Sequence, residues 1–139
     1  MESKKEKNKK EKNSSDKIVK IIIGLAYFFI LFLAWYDFYN LSIGNEIGYT
    51  LLYFYILLPI ITLIASIYVG KDQNLSNLKW LMIIFFSVMY MSPLFVLLIK
   101  GEYSLFELFN SYYDMMFNGL IVSIIGMVIG TVIKNKRKK

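Results

Sequence analysis

Long apolar runs separated by short polar stretches dominate the chain. The first, Ile18 to Tyr36, is interrupted only by Lys20. As a helix rising ~1.5 Å per residue it reaches roughly 28 Å, close to the hydrocarbon thickness of a bilayer. Three more runs follow: Tyr49 to Val69, Leu78 to Ile99 and Phe117 to Ile133. The last is only just long enough to span, and Met115 and Met116 lengthen it. Uninterrupted apolar blocks of this length belong in lipid rather than around a water-surrounded core. The predicted fold is all-α, a polytopic bundle of four transmembrane helices over 18–36, 49–69, 78–99 and 117–133, forming one domain from 18 to 133.

The flanks sharpen this picture. Residues 1–17 are almost all Lys, Glu, Asn and Ser, with no apolar period, and are expected to form a disordered charged tail. The first apolar block is too long for the core of a signal peptide, and no small-x-small cleavage site follows it. Lys20 can snorkel to the near headgroups, while Trp35, Tyr36, Phe38 and Tyr39 form an aromatic girdle at the far interface. In the second block Pro59 lacks an N–H, which frees the carbonyl of Tyr55 and predicts a kink. Gly70 to Asn77 reads as a polar turn, and Pro93 lies towards the end of the third block.

Between the third and fourth blocks the period changes. Leu105, Phe106, Leu108, Phe109, Tyr112, Tyr113 and Met116 alternate with Ser104, Glu107, Asn110, Ser111 and Asp114, whose spacing puts the polar groups on one arc of a helix. An amphipathic helix over 103–116 is therefore expected. It either lies flat in the outer interface or packs over the bundle as a connector.

Charge placement gives an orientation. If the N-terminus is cytoplasmic, the inner segments carry eight, two and five Lys or Arg, 15 of the 16 in the chain, and only Lys100 falls outside. This positive-inside pattern places both termini, including the basic tail 134–139, in the cytoplasm of a cell whose plasma membrane holds the protein. It also requires an even number of spans. The basic tails lack interleaved aromatics, so anionic lipid headgroups are the expected partner and nucleic acid is not.

The composition narrows the chemistry. Cys and His are both absent, which removes thiolate nucleophiles, disulfides and the usual zinc ligands. No ionisable residue lies near the middle of any apolar block, where transporters keep coupling sites. Small multidrug-resistance exporters match the four-helix size but need a Glu in the first helix, which this chain lacks. The outer acids Asp37, Glu46, Glu102, Glu107 and Asp114 are scattered, and no nucleophile elbow, P-loop or dinucleotide fingerprint occurs. No enzyme activity, cofactor or metal is expected.

Two groups of residues remain as candidate sites. Gly119, Ser123, Gly126 and Gly130 make a small-residue stripe in the fourth block, and Thr62, Ser66 and Gly70 repeat the spacing in the second. Such stripes let helix backbones approach closely, either within the chain or between copies. Tyr55 and Tyr90, with the kinking prolines Pro59 and Pro93, are candidates for lining a polar cavity.

The stretch from Tyr53-Phe54 to Pro59, the Met89-Tyr90-Met91 triplet and the Gly126/Gly130 pair give the chain a resemblance over about residues 18–133. It resembles the functionally uncharacterised small four-span membrane proteins of low-GC Gram-positive bacteria, and its Ile, Lys and Asn content fits an AT-rich genome. The resemblance implies no activity. The expected function is that of a non-enzymatic accessory or immunity-type protein that binds a membrane-protein partner or a second copy of itself. The alternatives are a small permease or exporter of apolar or weakly polar solutes, and a holin-like pore former.

Overall fold

The computed structural model describes residues 2–40, 46–72 and 78–136, with side-chain surroundings from Ser14 onward except at Glu46. Parts of the predicted polar turn (73–77) and of the basic tail (137–139) lie outside the described residues. Among the described residues there are helices and no strands. Four helical stretches are long and apolar enough to cross a membrane: Ser14–Tyr39, Ile47–Lys71, Leu78–Ile99 and Leu105–Lys136. They agree with the four apolar blocks and make this an all-α, multi-pass membrane protein.

The first span belongs to helix α1 (Glu2–Tyr39), which begins well before the apolar block. The charged N-terminal segment thus continues the helix, where its composition predicts a disordered tail. Lys and Glu are strong helix formers, and lengthening an existing helix avoids the cost of nucleation. Within the span α1 buries a narrow seam, with Tyr27, Leu31 and Ala34 at helical spacing in the core. Leu25, Phe29, Phe32 and Tyr36 point outward, as lipid-facing positions do.

The second span is assembled from α2 (Glu46–Thr50), a π-helical segment (Leu51–Leu57) and α3 (Leu58–Lys71). Within the wide segment the Leu58 N–H donates to the Tyr53 carbonyl, five residues back. In that register the next donor would be the N–H of Pro59, and its acceptor Phe54. The Phe54 carbonyl is therefore left without a helical donor, one residue before the Tyr55 carbonyl that α-helical spacing names. A π-segment ahead of a proline moves the ring off the preceding turn, so the helix widens at this point.

The third span consists of α4 (Leu78–Met91), a tight 3-10 turn (Ser92–Phe95) and α5 (Val96–Ile99). Pro93 is the second residue of the 3-10 turn, where a missing N–H is harmless, and is fully buried against the rest of the bundle. The turn packs on α1.

The fourth span lies in α6 (Leu105–Lys136), which is bent at Tyr112 (φ −126°, ψ 22°). The segment predicted to be amphipathic is helical and runs into the span through this bend. Ser104 caps it: its hydroxyl accepts from the Glu107 N–H at 3.3 Å, and the Glu107 carboxylate accepts from the Ser104 N–H at 2.8 Å. This reciprocal capping box explains where α6 starts. Leu108 is buried from the first turns, while Phe106 is 82% exposed.

Helix α6 is the spine of the bundle. Its most extensive contact is with α3, followed by that with α4. At one end of the bundle Lys20 Nζ pairs with Asp72 Oδ2 at 2.5 Å, which ties the start of the first span to the end of the second. At the other end the Lys100 ammonium sits over an aromatic face, 5.5 Å from the Tyr39 ring centroid.

Candidate functional site

The small-residue stripes meet inside the chain. A Cβ built on Gly126 would lie 2.6 Å from Ser66 Cβ and 2.9 Å from the Leu63 carbonyl oxygen. One built on Gly130 would strike the Ile67 carbonyl oxygen and lie 3.0 Å from Gly70 Cα, and one on Gly70 would lie 2.6 Å from the Met127 carbonyl oxygen. Contacts advance in the same direction along both helices, so α3 and α6 run parallel with their backbones touching. Thr62, Ser66 and Ser123 are fully buried in the same region. The stripe divides at its upper end: Gly119 serves α4, where its Cβ would collide with Tyr90 Cβ at 2.6 Å. Beside it the Ser87 hydroxyl donates to the Met116 carbonyl at 2.9 Å.

The candidate cavity residues do not come together. Tyr55 points out of the bundle at 58% exposed, whereas Tyr90 is 1% exposed. The Tyr90 hydroxyl instead donates to the Phe54 carbonyl, the acceptor that Pro59 leaves without a helical donor. Tyr90 thus fills the gap in the second span's backbone ladder from the third span. Proline and tyrosine are coupled as an interhelical staple rather than as a cavity wall, and sequence spacing misses this because the π-segment shifts the acceptor by one residue.

Two further tyrosines also act between helices. Tyr49 donates to the Ala34 carbonyl at 2.7 Å, and Tyr53 donates to the Asp37 carboxylate. Their rings meet at a tilt of 33°, with centroids 4.7 Å apart. These contacts fasten the entry of the second span to the exit of the first. Deeper in the bundle Tyr27, Thr62 and Ser66 hold buried hydroxyls with no hydrogen-bond partner. The Tyr27 hydroxyl faces that of Thr62 without reaching it in bonding geometry. Among the described residues no three acids gather as metal ligands.

The bundle has one more feature that sequence reasoning did not find. Between α1, α3 and α4 a cavity of about 210 Å³ opens sideways, lined by Gly24, Tyr27, Ala65 and Phe86 among others, with the Lys20–Asp72 pair at one end. The signal in the sequence is Gly24, a lone glycine in the first apolar block outside either small-residue stripe. No protein-family model matches the chain, and no curated protein or solved structure is significantly similar to it.

Proposed function

We propose that this is a multi-pass protein of the plasma membrane, with both termini cytoplasmic, that works by binding a membrane-protein partner and not by catalysis. The accessory or immunity-type role fits this reading. The observation that carries it is the closed centre of the bundle, away from the lateral groove: Leu58, Thr62, Ser66, Tyr90, Met91 and Ser123 are all fully buried between the helices. A bundle closed in this way has its working surface on the outside. The orientation is supported by the charge asymmetry of the sequence.

The stripes that could have served assembly between copies are occupied by intrachain packing, so the partner meets other faces of the bundle. The test is affinity capture of the tagged full chain from gently solubilised native membranes, followed by mass spectrometry. One stoichiometric partner is expected. Recovery of the protein alone, together with only monomer after crosslinking in intact membranes, would overturn the reading.

A small permease remains the second reading, because the π-segment at Pro59 and the 3-10 turn at Pro93 interrupt two spans of the bundle, and broken helices accompany substrate sites in transporters. Proteoliposome flux that is unchanged by Pro59→Ala and Tyr90→Phe across a panel of weakly polar solutes would remove it. The holin-like alternative draws no support from a packed interior.

A further inference from the structure

Gly24 sits in the middle of α1, and a Cβ added there meets nothing within 4 Å. This separates it from Gly70, Gly119, Gly126 and Gly130, each of which is required by a backbone or side chain pressed against it. A glycine inside a helix gives up more chain entropy on folding than alanine does, so the absence of a side chain has a cost and no protein atom uses the space. What Gly24 does is leave the wall of the lateral groove open.

The groove is amphiphilic along its length. Gly24, Phe28, Ala65 and Phe86 make an apolar channel, with Phe28 more than half exposed at its rim. At one end stands the Lys20–Asp72 pair, where α3 ends and the apolar block of α1 begins. Two more cations are close. Lys17 shares the face of α1 with Lys20, one turn away. Lys71 lies 5.0 Å from the ring centroid of Tyr68, which itself lines the groove. Asp16 and Asp72 offset part of this charge, and an ammonium has three donors, of which Asp72 needs one. A ligand complementary to this site has an anionic oxygen-rich head and an apolar chain.

We propose that the groove is a binding site for an anionic glycerophospholipid, with one acyl chain lying along Gly24 and the phosphate held by Lys20 with Lys17 and Lys71. The chain supplies apolar burial and the phosphate supplies the selectivity, because a zwitterionic headgroup cancels the attraction of the lysine cluster. This lipid site stands on the groove alone and is independent of the partner-binding reading.

The experiment uses the full chain in nonionic detergent, titrated with phosphatidylglycerol or phosphatidylcholine of identical acyl chains and read by native mass spectrometry. The wild type is expected to retain one phosphatidylglycerol about tenfold more tightly than phosphatidylcholine, an ion-pair-sized preference. Gly24→Leu fills the groove and should weaken retention of both lipids about tenfold. Lys20→Gln should keep chain binding and lose most of the preference. Circular dichroism of each variant verifies that the bundle is intact, and Gly24→Ala, which cannot clash, gives the same direction with a smaller effect. Equal retention of the two lipids by the wild type, or retention unchanged in both Gly24→Leu and Lys20→Gln, would overturn the proposal. So would full displacement of phosphatidylglycerol by inorganic phosphate, which would make the site one for the anion alone.

Discussion

Replacing Gly130 by alanine adds one methyl group at the point where α3 and α6 come closest. The new carbon would overlap the Ile67 carbonyl oxygen and stand 3.0 Å from Gly70 Cα and 3.1 Å from Gly70 C. All three are backbone atoms, so no side chain can turn away and the helices must part. Overpacking of this kind costs about 1–3 kcal/mol. Against it stands the helix preference for alanine over glycine, roughly 0.5–1 kcal/mol. The net expectation is a loss of about 1–2 kcal/mol, a factor of roughly 5–30 in the folded-to-unfolded ratio. Gly24→Ala supplies the matching control, because it carries the same propensity gain with no atom in the way.

The assay is equilibrium unfolding of each variant in mixed micelles, driven by increasing sodium dodecyl sulfate and followed by circular dichroism. Gly130→Ala should unfold at lower dodecyl sulfate than the wild type, and Gly24→Ala at the same or higher. The shift for Gly130→Ala should not depend on protein concentration, because the seam lies within one chain. A Gly130→Ala protein as stable as the wild type would refute the intrachain seam. So would a loss of stability that vanishes on dilution, since that is the behaviour of a contact between copies.

Other substitutions probe the remaining contacts. Tyr90→Phe removes the donor that serves the Phe54 carbonyl and should cost about 1–2 kcal/mol, at the upper end for a hydrogen bond between membrane helices. In a Pro59→Ala background position 59 has its own N–H, so a double-mutant cycle by the same unfolding assay should show the Tyr90→Phe cost at least halved; additive costs would break the proposed link. Thr62→Val removes a fully buried hydroxyl that has no partner and should leave stability unchanged or raise it by about 1 kcal/mol, whereas Ser87→Ala removes a bond to Met116 and should lower it by a similar amount. A destabilised Thr62→Val would mean that its hydroxyl does bond to Tyr27. Ser104→Ala removes the cap of α6 and should weaken that helix start by about 1 kcal/mol, seen as faster hydrogen exchange at the Glu107 amide while the span from Phe117 onward is unaffected.

The spans were legible because the bilayer demands continuous apolar length, and length is a property of one segment read by itself. The four blocks ending near Tyr36, Val69, Ile99 and Ile133 each correspond to one helical crossing. The small residues were legible as a packing surface for the same reason, since their spacing is local. Their partner was not, because Gly119 faces α4 and Gly126 and Gly130 face α3, and that choice depends on how the helices are arranged. The serine-and-glutamate box at Ser104 and Glu107 was local too, yet its polar residues read equally well as one arc of an amphipathic helix, and the cap was hidden in that pattern. Local spacing failed outright at Pro59. Counting four residues back names Tyr55, but the helix is π-wound there, so the acceptor is Phe54 and Tyr55 turns outward. A one-residue change in register rotates each side chain by about 100° and reassigns the faces. Gly24 marks the opposite limit. It fits neither stripe and no neighbour needs it, so its meaning lies in the groove that three separate helices enclose, and no reading of a single segment contains that groove.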